Sequence, residues 1–114
     1  MTGNKLIEYE VKMNLFDIEK ISGSDELIEV LAESKNIRIE RIVSSGQISP
    51  EGFWYDQDEN EFVALVQGEA IITYEDGSIR LKAGDTAIIP AHKKHRVDFT
   101  SVEPLCVWLC VFYL

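Results

Sequence analysis

Turn-forming residues recur along the chain after residue 36 and separate β-prone runs that are too short for a typical helix. Glycine or proline interrupts the chain at Gly46, Gly52, Gly68, Gly77, Gly84 and Pro90. β-prone runs lie between these interruptions: Ile37–Ile42, Phe62–Val66, Ala70–Tyr74, Ser78–Lys82, Thr86–Ile89, Arg96–Thr100 and Leu105–Tyr113. Short strands with turn signals about every eight to twelve residues are typical of an antiparallel sandwich or barrel. The sequence therefore predicts an all-β protein.

One segment near the N-terminus has a helical pattern instead. Ser24 is a suitable N-cap, acidic residues follow it, and Leu27, Val30 and Leu31 recur at helical spacing. We therefore predict one short helix that ends near Lys35, and no other helix.

The length of 114 residues predicts a single domain, 1–114. Residues 1–36 are expected to form an N-terminal strand and helix segment that packs on a barrel of residues 37–114. No internal repeat or linker divides the chain.

The net charge of -9 and the pI near 4.6 disfavour binding to nucleic acid or to an anionic membrane. Residues 1–14 lack the unbroken apolar core of a signal peptide, and no segment reaches the ~20 apolar residues of a membrane span. We therefore expect a cytoplasmic protein with no membrane partner.

The C-terminal run is apolar on both faces of a predicted strand. Cys106 and Cys110 share one face about 13 Å apart, too far for a disulfide, so buried free thiols are expected. A barrel interior covers only one face. The other face is expected to lie under the N-terminal segment or in a homodimer interface.

An acidic stretch and a basic stretch are expected to meet in space. The acidic stretch begins with Trp54 and Tyr55 and leads into the buried run after Glu61, and the basic stretch is His92–Arg96. A carboxylate at the start of a buried strand needs solvent or a partner, because an unpaired buried charge is costly. The basic stretch offers such a partner.

Two spacings resemble a known family. Six residues separate Glu61 from Gly68, five separate Gly84 from Pro90, and His95 follows Pro90 by five positions. These spacings match the two halves of the cupin motifs. The chain from about 37 to 113 therefore resembles the cupin superfamily, in particular its small single-domain bacterial members.

The resemblance implies a jelly-roll barrel that holds one divalent metal ion. The family's ligands are two histidines and a glutamate from the first motif and one histidine from the second. Glu61 and His95 match the glutamate and the last histidine. The His-x-His pair is replaced, depending on a one-residue gap, by Trp54 and Asp56 or by Tyr55 and Gln57.

Several ligand sets remain open under this resemblance. Asp56 or Gln57 with Glu61 and His95 would suit a hard ion such as Mn²⁺ or Fe²⁺, and Ni²⁺ or Zn²⁺ are the other candidates. His92, His95 and Glu61 would form a two-histidine, one-carboxylate set. The plainer alternatives are a solvated acidic loop around Asp56 and an exposed turn at His92.

The resemblance leaves two functional hypotheses. The first is a metal-binding cupin that binds or acts on a small polar molecule, with Trp54 and Tyr55 lining the pocket. The reaction is not assigned, because cupins catalyse many reactions. The second is a non-catalytic cupin that binds or senses a small molecule without metal. Trp54 and Tyr55 could also be core residues that plug the barrel.

Overall fold

The computed structural model describes residues 11–18 and 25–114, and these residues form eight strands and no helix. The strands are β1 (Leu27–Ser34), β2 (Ile37–Ser44), β3 (Asn60–Gln67), β4 (Glu69–Tyr74), β5 (Gly77–Lys82), β6 (Thr86–Ile89), β7 (His95–Thr100) and β8 (Cys106–Tyr113). They form a five-stranded sheet, β1-β2-β8-β3-β6, and a three-stranded sheet, β5-β4-β7. Every pairing is antiparallel, so the predicted all-β antiparallel class is confirmed.

The predicted N-terminal helix is wrong where the structure describes it. Residues 27–34 form β1, which pairs with β2 through a turn at Lys35 and Asn36. Burial along β1 alternates, so Leu27, Glu29 and Leu31 share its more buried face. The apolar residues fit both the helical period of about 3.6 residues and the strand period of about 2. The backbone hydrogen bonds with β2 stabilise the strand. The proposed N-cap, Ser24, lies outside the described residues.

Two glycines occupy positions that the sequence predicted as turns. Gly68 joins β3 to β4 with a φ of +93°, and a Cβ there would lie 2.7 Å from Ser101 Oγ and 2.9 Å from Cys106 Cα. Both the backbone angle and the space exclude a side chain. Gly84 has a φ of +94° but open space around it, so only its conformation requires glycine.

The core lies between the two sheets and is centred on β8. One face of β8 points into it with Cys106, Trp108, Cys110 and Phe112, all buried. Val63, Leu65 and Ile72 complete the layer from β3 and β4. Both cysteines are buried free thiols, as predicted.

The outer face of the five-stranded sheet is partly covered by residues 11–18. Arg41 of β2 is only 3% exposed, and its Nη1 donates to the carbonyl oxygens of Leu15 (3.1 Å) and Asp17 (2.8 Å). Its guanidinium also pairs with Glu29 of β1. On the same face, Leu109, Val111 and Tyr113 of β8 are half-buried. The homodimer expected to cover this face stays a prediction.

The described part of the chain contains no helix long and apolar enough to span a membrane.

Candidate functional site

The two sheets enclose a cavity of about 280 Å³. Its walls are mainly apolar and come from both sheets: Ile42, Trp108 and Phe112 from one, and Ile72 and Val97 from the other. Polar side chains on the lining include Tyr55, Gln57, Glu61 and His95. A concave apolar pocket with a few convergent polar groups is the usual form of a small-molecule site.

Three of the predicted site residues meet inside the cavity, and we call Gln57, Glu61 and His95 the inner cluster. Glu61 is the second residue of β3, and His95 is the first residue of β7. They are 8% and 5% exposed, and Glu61 Oε1 lies 3.8 Å from His95 Nε2. Gln57 Nε2 donates a 3.1 Å hydrogen bond to the same Oε1. The inner cluster therefore brings side chains from the two opposite sheets to the carboxylate of Glu61.

The imidazole of His95 has a defined orientation. Its Nδ1 lies 2.9 Å from the carbonyl oxygen of Lys93, which can only accept, so Nδ1 must donate. In the neutral ring, Nε2 is then an acceptor directed at Glu61, and the 3.8 Å separation exceeds a hydrogen bond. The cavity thus contains two acceptor atoms that face each other without a direct bond.

The buried position of Glu61 changes its ionisation. Burial raises the pKa of the Glu61 carboxyl because the charged form loses its hydration. The hydrogen bonds from Gln57 and Cys110, and the attraction that a protonated His95 exerts, act in the opposite direction, and burial outweighs them.

Tyr55 completes the wall next to His95. The two residues exchange backbone hydrogen bonds of 2.7 Å and 3.1 Å, and their rings stack with centroids 5.3 Å apart. Burial, followed by the charges of Glu26 and Glu61, raises the pKa of the Tyr55 phenol. Trp54, the other aromatic candidate, is half-buried and does not line the cavity.

The remaining metal-ligand candidates, Asp56 and His92, lie outside the cavity beside Asp58, and we call these three residues the outer cluster. His92 Nδ1 is 2.8 Å from Asp56 Oδ1, and His92 Nε2 is 3.4 Å from Asp58 Oδ1. The His92 side chain is 63% exposed. Its hydrogen bond to Asp56 is the main reason that the pKa of His92 is raised. Gln57, and not Asp56, therefore lies beside Glu61.

Comparison with known proteins places this fold and site in a family. The family model described as a cupin domain matches residues 41–112, which is more than half of the chain. This chain belongs to the cupin family. The cavity between its sheets is therefore the interior of a cupin barrel, and the inner cluster lies in this interior.

Solved cupin structures resemble the chain along most of its length. A proposed mannose-6-phosphate isomerase from Ralstonia eutropha JMP134 is 41% identical, with a TM-score of 0.83, and the match covers 89% of this chain and 95% of that one. A cupin superfamily protein from Desulfitobacterium hafniense DCB-2 is 23% identical, with a TM-score of 0.71 and 83% of both chains covered. The second likeness shows the fold alone. No curated protein matches the chain.

The donor atoms of this cupin do not fit the metal that the family pattern implies. An open catalytic zinc site, for example, keeps three protein ligands. Within residues 11–18 and 25–114, no three His, Cys, Asp or Glu side chains come close enough to hold one ion. Glu61 and His95 are strong metal ligands, whereas the Gln57 amide is neutral and directs its NH₂ group at Glu61. Asp56 and His92 lie in the outer cluster and supply no third donor.

Sequence reasoning missed several residues of the cavity wall. Glu40 lines the cavity beside Ile42, and the alternation along β2 was a signal that could have placed them on one face. Cys110 and Trp108 could likewise have been read from β8. Glu26 also lines the cavity, but its assignment to a helix gave no signal for this position.

Proposed function

We propose that this cupin binds a small organic molecule in the cavity between its sheets and needs no transition metal to do so. One observation carries the proposal. Glu61 Oε1 and His95 Nε2 are buried acceptor atoms 3.8 Å apart in a pocket with mainly apolar walls. A ligand with a hydrogen-bond donor at one end and an apolar body matches this distribution.

Each part of the cavity has a separate task in this proposal. Glu61 and His95 accept hydrogen bonds from the polar end of the ligand, and Gln57 keeps the carboxylate in place. Tyr55 shields His95 from solvent through the stacked rings. The aliphatic and aromatic walls bind the rest of the ligand by excluding water.

Elemental analysis tests the metal-free part of the proposal. Protein purified without a chelator or a metal-binding tag should contain no stoichiometric metal, even after incubation with Mn²⁺, Fe²⁺, Ni²⁺ or Zn²⁺ and desalting. One equivalent per chain that disappears in His95→Ala and persists in His92→Ala would contradict it. The second variant is the matched control, because it removes an exposed histidine from the outer cluster.

Nondenaturing mass spectrometry tests the binding part. A molecule of small mass that copurifies with the chain and is lost in Glu61→Gln supports the proposal. A molecule retained unchanged in Glu61→Gln and in His95→Ala lies elsewhere, and that result counts against the cavity as the site.

A second candidate function is proton transfer on the bound molecule. Aldose–ketose isomerisation, the activity type named for the Ralstonia structure, needs a base that moves a proton between adjacent carbons. The raised pKa of Glu61 and the acceptor Nε2 of His95 suit this task. Incorporation of solvent deuterium into D-mannose or its 6-phosphate, lost in Glu61→Gln, would support catalysis. No incorporation into either sugar would count against this candidate.

A further inference from the structure

The electrostatic character of the cavity wall is acidic. Three carboxylates line the cavity, from Glu26, Glu40 and Glu61, and the lining residues that the structure describes include no lysine or arginine. His95 is the one imidazole among these lining residues. A ligand in this cavity therefore meets a negative field across low-dielectric walls, where charges act strongly.

The three carboxylates differ in their partners. Glu40 is compensated, because Arg38 Nε donates to its Oε2 at 2.7 Å. Glu26 accepts a 2.6 Å hydrogen bond from the neutral hydroxyl of Ser44. Glu61 has a neutral partner in Gln57. Within the described residues, neither Glu26 nor Glu61 pairs with a lysine or arginine, and His95 lies 3.8 Å from Glu61, so a cationic ligand can pair with these carboxylates.

The position of His95 is a second, independent observation that favours a cationic ligand with N–H groups. The residue is 5% exposed, and its Nδ1 donates to a backbone carbonyl, so in the neutral ring Nε2 presents a lone pair to the cavity. Nε2 and Glu61 Oε1 are 3.8 Å apart, close enough for one ammonium nitrogen to donate to both. A phosphate or carboxylate offers no donor for these two acceptors.

We propose that the ligand is a small protonated amine with an apolar body, with its ammonium group between Glu61 and His95. This inference rests on the proposed binding function and names the class of molecule bound. Charge-assisted hydrogen bonds to the carboxylate hold the ammonium group. Trp108 supplies an aromatic wall for the body of the ligand, whereas the ring of Phe112 already has the Arg38 guanidinium 4.5 Å from its centroid.

The same field argues against a sugar phosphate in this cupin. The pKa of the buried Cys110 thiol is raised first by burial and then by Glu61, Glu40 and Glu26, so all three carboxylates act on one point of the interior. A phosphate dianion placed there would meet like charges without a basic residue to bind it. An ammonium group therefore suits this part of the cavity better than a phosphate group does.

Three molecules of similar shape and different charge test the inference: benzylamine, benzyl alcohol and benzoate. The reporter is the indole N–H resonance of Trp108, which donates to Ser44 Oγ and so lies next to Glu26. Benzylamine is expected to shift this resonance saturably and to bind roughly tenfold to a hundredfold more tightly than benzyl alcohol. Benzoate is expected to cause no shift.

Charge-removing variants give the second arm of the test. Glu61→Gln and Glu26→Gln should each weaken benzylamine binding and leave that of benzyl alcohol nearly unchanged. Glu69→Gln is the control, because that carboxylate is exposed and pairs with Arg80 outside the cavity. Each variant's amide spectrum should show the dispersed resonances of a folded chain.

The possible outcomes separate the inference from the proposed function. Equal or tighter binding of benzyl alcohol or benzoate overturns the amine inference and leaves a small-molecule site in place. Amine binding that Glu69→Gln weakens as much as Glu61→Gln also overturns it, because the attraction is then nonspecific. A Trp108 resonance that none of the three molecules shifts overturns both.

Discussion

The inner and outer clusters contain similar side chains in neighbouring positions and differ mainly in their access to water. Each contains a histidine and at least one carboxylate, and Asp56 and Gln57 are consecutive residues that point to different clusters. In the outer cluster, the 2.8 Å contact between His92 and Asp56 is exposed and becomes an ion pair when His92 is protonated. In the inner cluster, Glu61 and His95 are more than nine-tenths buried and stand 3.8 Å apart.

The difference shows that burial, and not residue type, decides what such a pair can do. Water screens the charges of the outer pair, and the two side chains already hydrogen-bond to each other. The pair therefore contributes little to the stability of the fold. Burial destabilises the charge on Glu61 and leaves its acceptor oxygen facing His95. A ligand that binds there replaces the missing hydration. Most acidic residues of the loop before β3, such as Asp56 and Asp58, therefore lie outside the cavity, whereas Glu61 of β3 lies inside it.

The largest effect is expected from restoring the histidine pair of the family. Tyr55→His with Gln57→His adds two imidazoles beside Glu61 and His95, which completes the four-ligand cupin set. One equivalent of Zn²⁺ or Ni²⁺ should bind. At about one hundred times the dissociation constant, the metal should stabilise the fold by roughly 2.7 kcal/mol. Elemental analysis and thermal melts with and without metal measure this.

The control for this gain of metal binding places the two histidines one residue earlier in the loop. Trp54→His with Asp56→His adds two histidines outside the cavity, so any metal bound there should not depend on Glu61. Equal metal-dependent stabilisation of both double variants, each abolished by Glu61→Gln, would show that the loop is not held in the described register.

Sequence reasoning predicted the strands better than the loop that carries the site. Turns such as those at Gly68 and Gly84 depend on local backbone angles, which sequence reports directly. The spacing from Glu61 to Gly68 likewise placed Glu61 at the start of a strand. The helix predicted from Ser24 to near Lys35 was wrong because the pairing of β1 with β2 depends on contacts that local periodicity does not report.

The register of the loop could not be read from the sequence. Residues 45–59 have no regular period, so two alignments of the histidine positions remained open. The backbone pairing of Tyr55 with His95 decides between them, and this pairing joins residues forty positions apart in the chain. It directs the side chain of Gln57 toward Glu61. Glu26 and Glu40 belong to the wall for the same nonlocal reason.

A medium effect is expected from removing the charge of Glu61. Because the pKa of the folded state is raised above its ordinary value of 4.5, the native state holds the proton longer than the unfolded chain. The contribution of Glu61 to the free energy of unfolding therefore falls as pH rises from about 4.5 to the folded-state pKa, and stays low above it. Glu61→Gln should remove this fall and raise the Tm at pH 7 by a few degrees.

Thermal melts of the wild type and Glu61→Gln between pH 4 and pH 8 measure the difference, with Glu69→Gln as an exposed control. If Glu61→Gln is less stable than the wild type at pH 7, and the difference between them is no more favourable to the variant at pH 7 than at pH 4, the carboxylate is needed for the fold. Burial would then not be its dominant influence, and the contrast between the two clusters would be lost.

The smallest effect is expected from the outer cluster. His92 has a φ of +64°, which asparagine tolerates, so His92→Asn removes the charge without straining the backbone. Asp56 raises the pKa of His92, so the pair's contribution is fully present below the ordinary value of 6.5 and is lost as pH rises through the folded-state pKa. His92→Asn should therefore lower the Tm slightly at pH 5.5 and leave it unchanged at pH 8.5. A loss at pH 8.5 as large as that at pH 5.5 would mean that the side-chain hydrogen bond between His92 Nδ1 and Asp56 Oδ1 stabilises the fold without a charge on the imidazole.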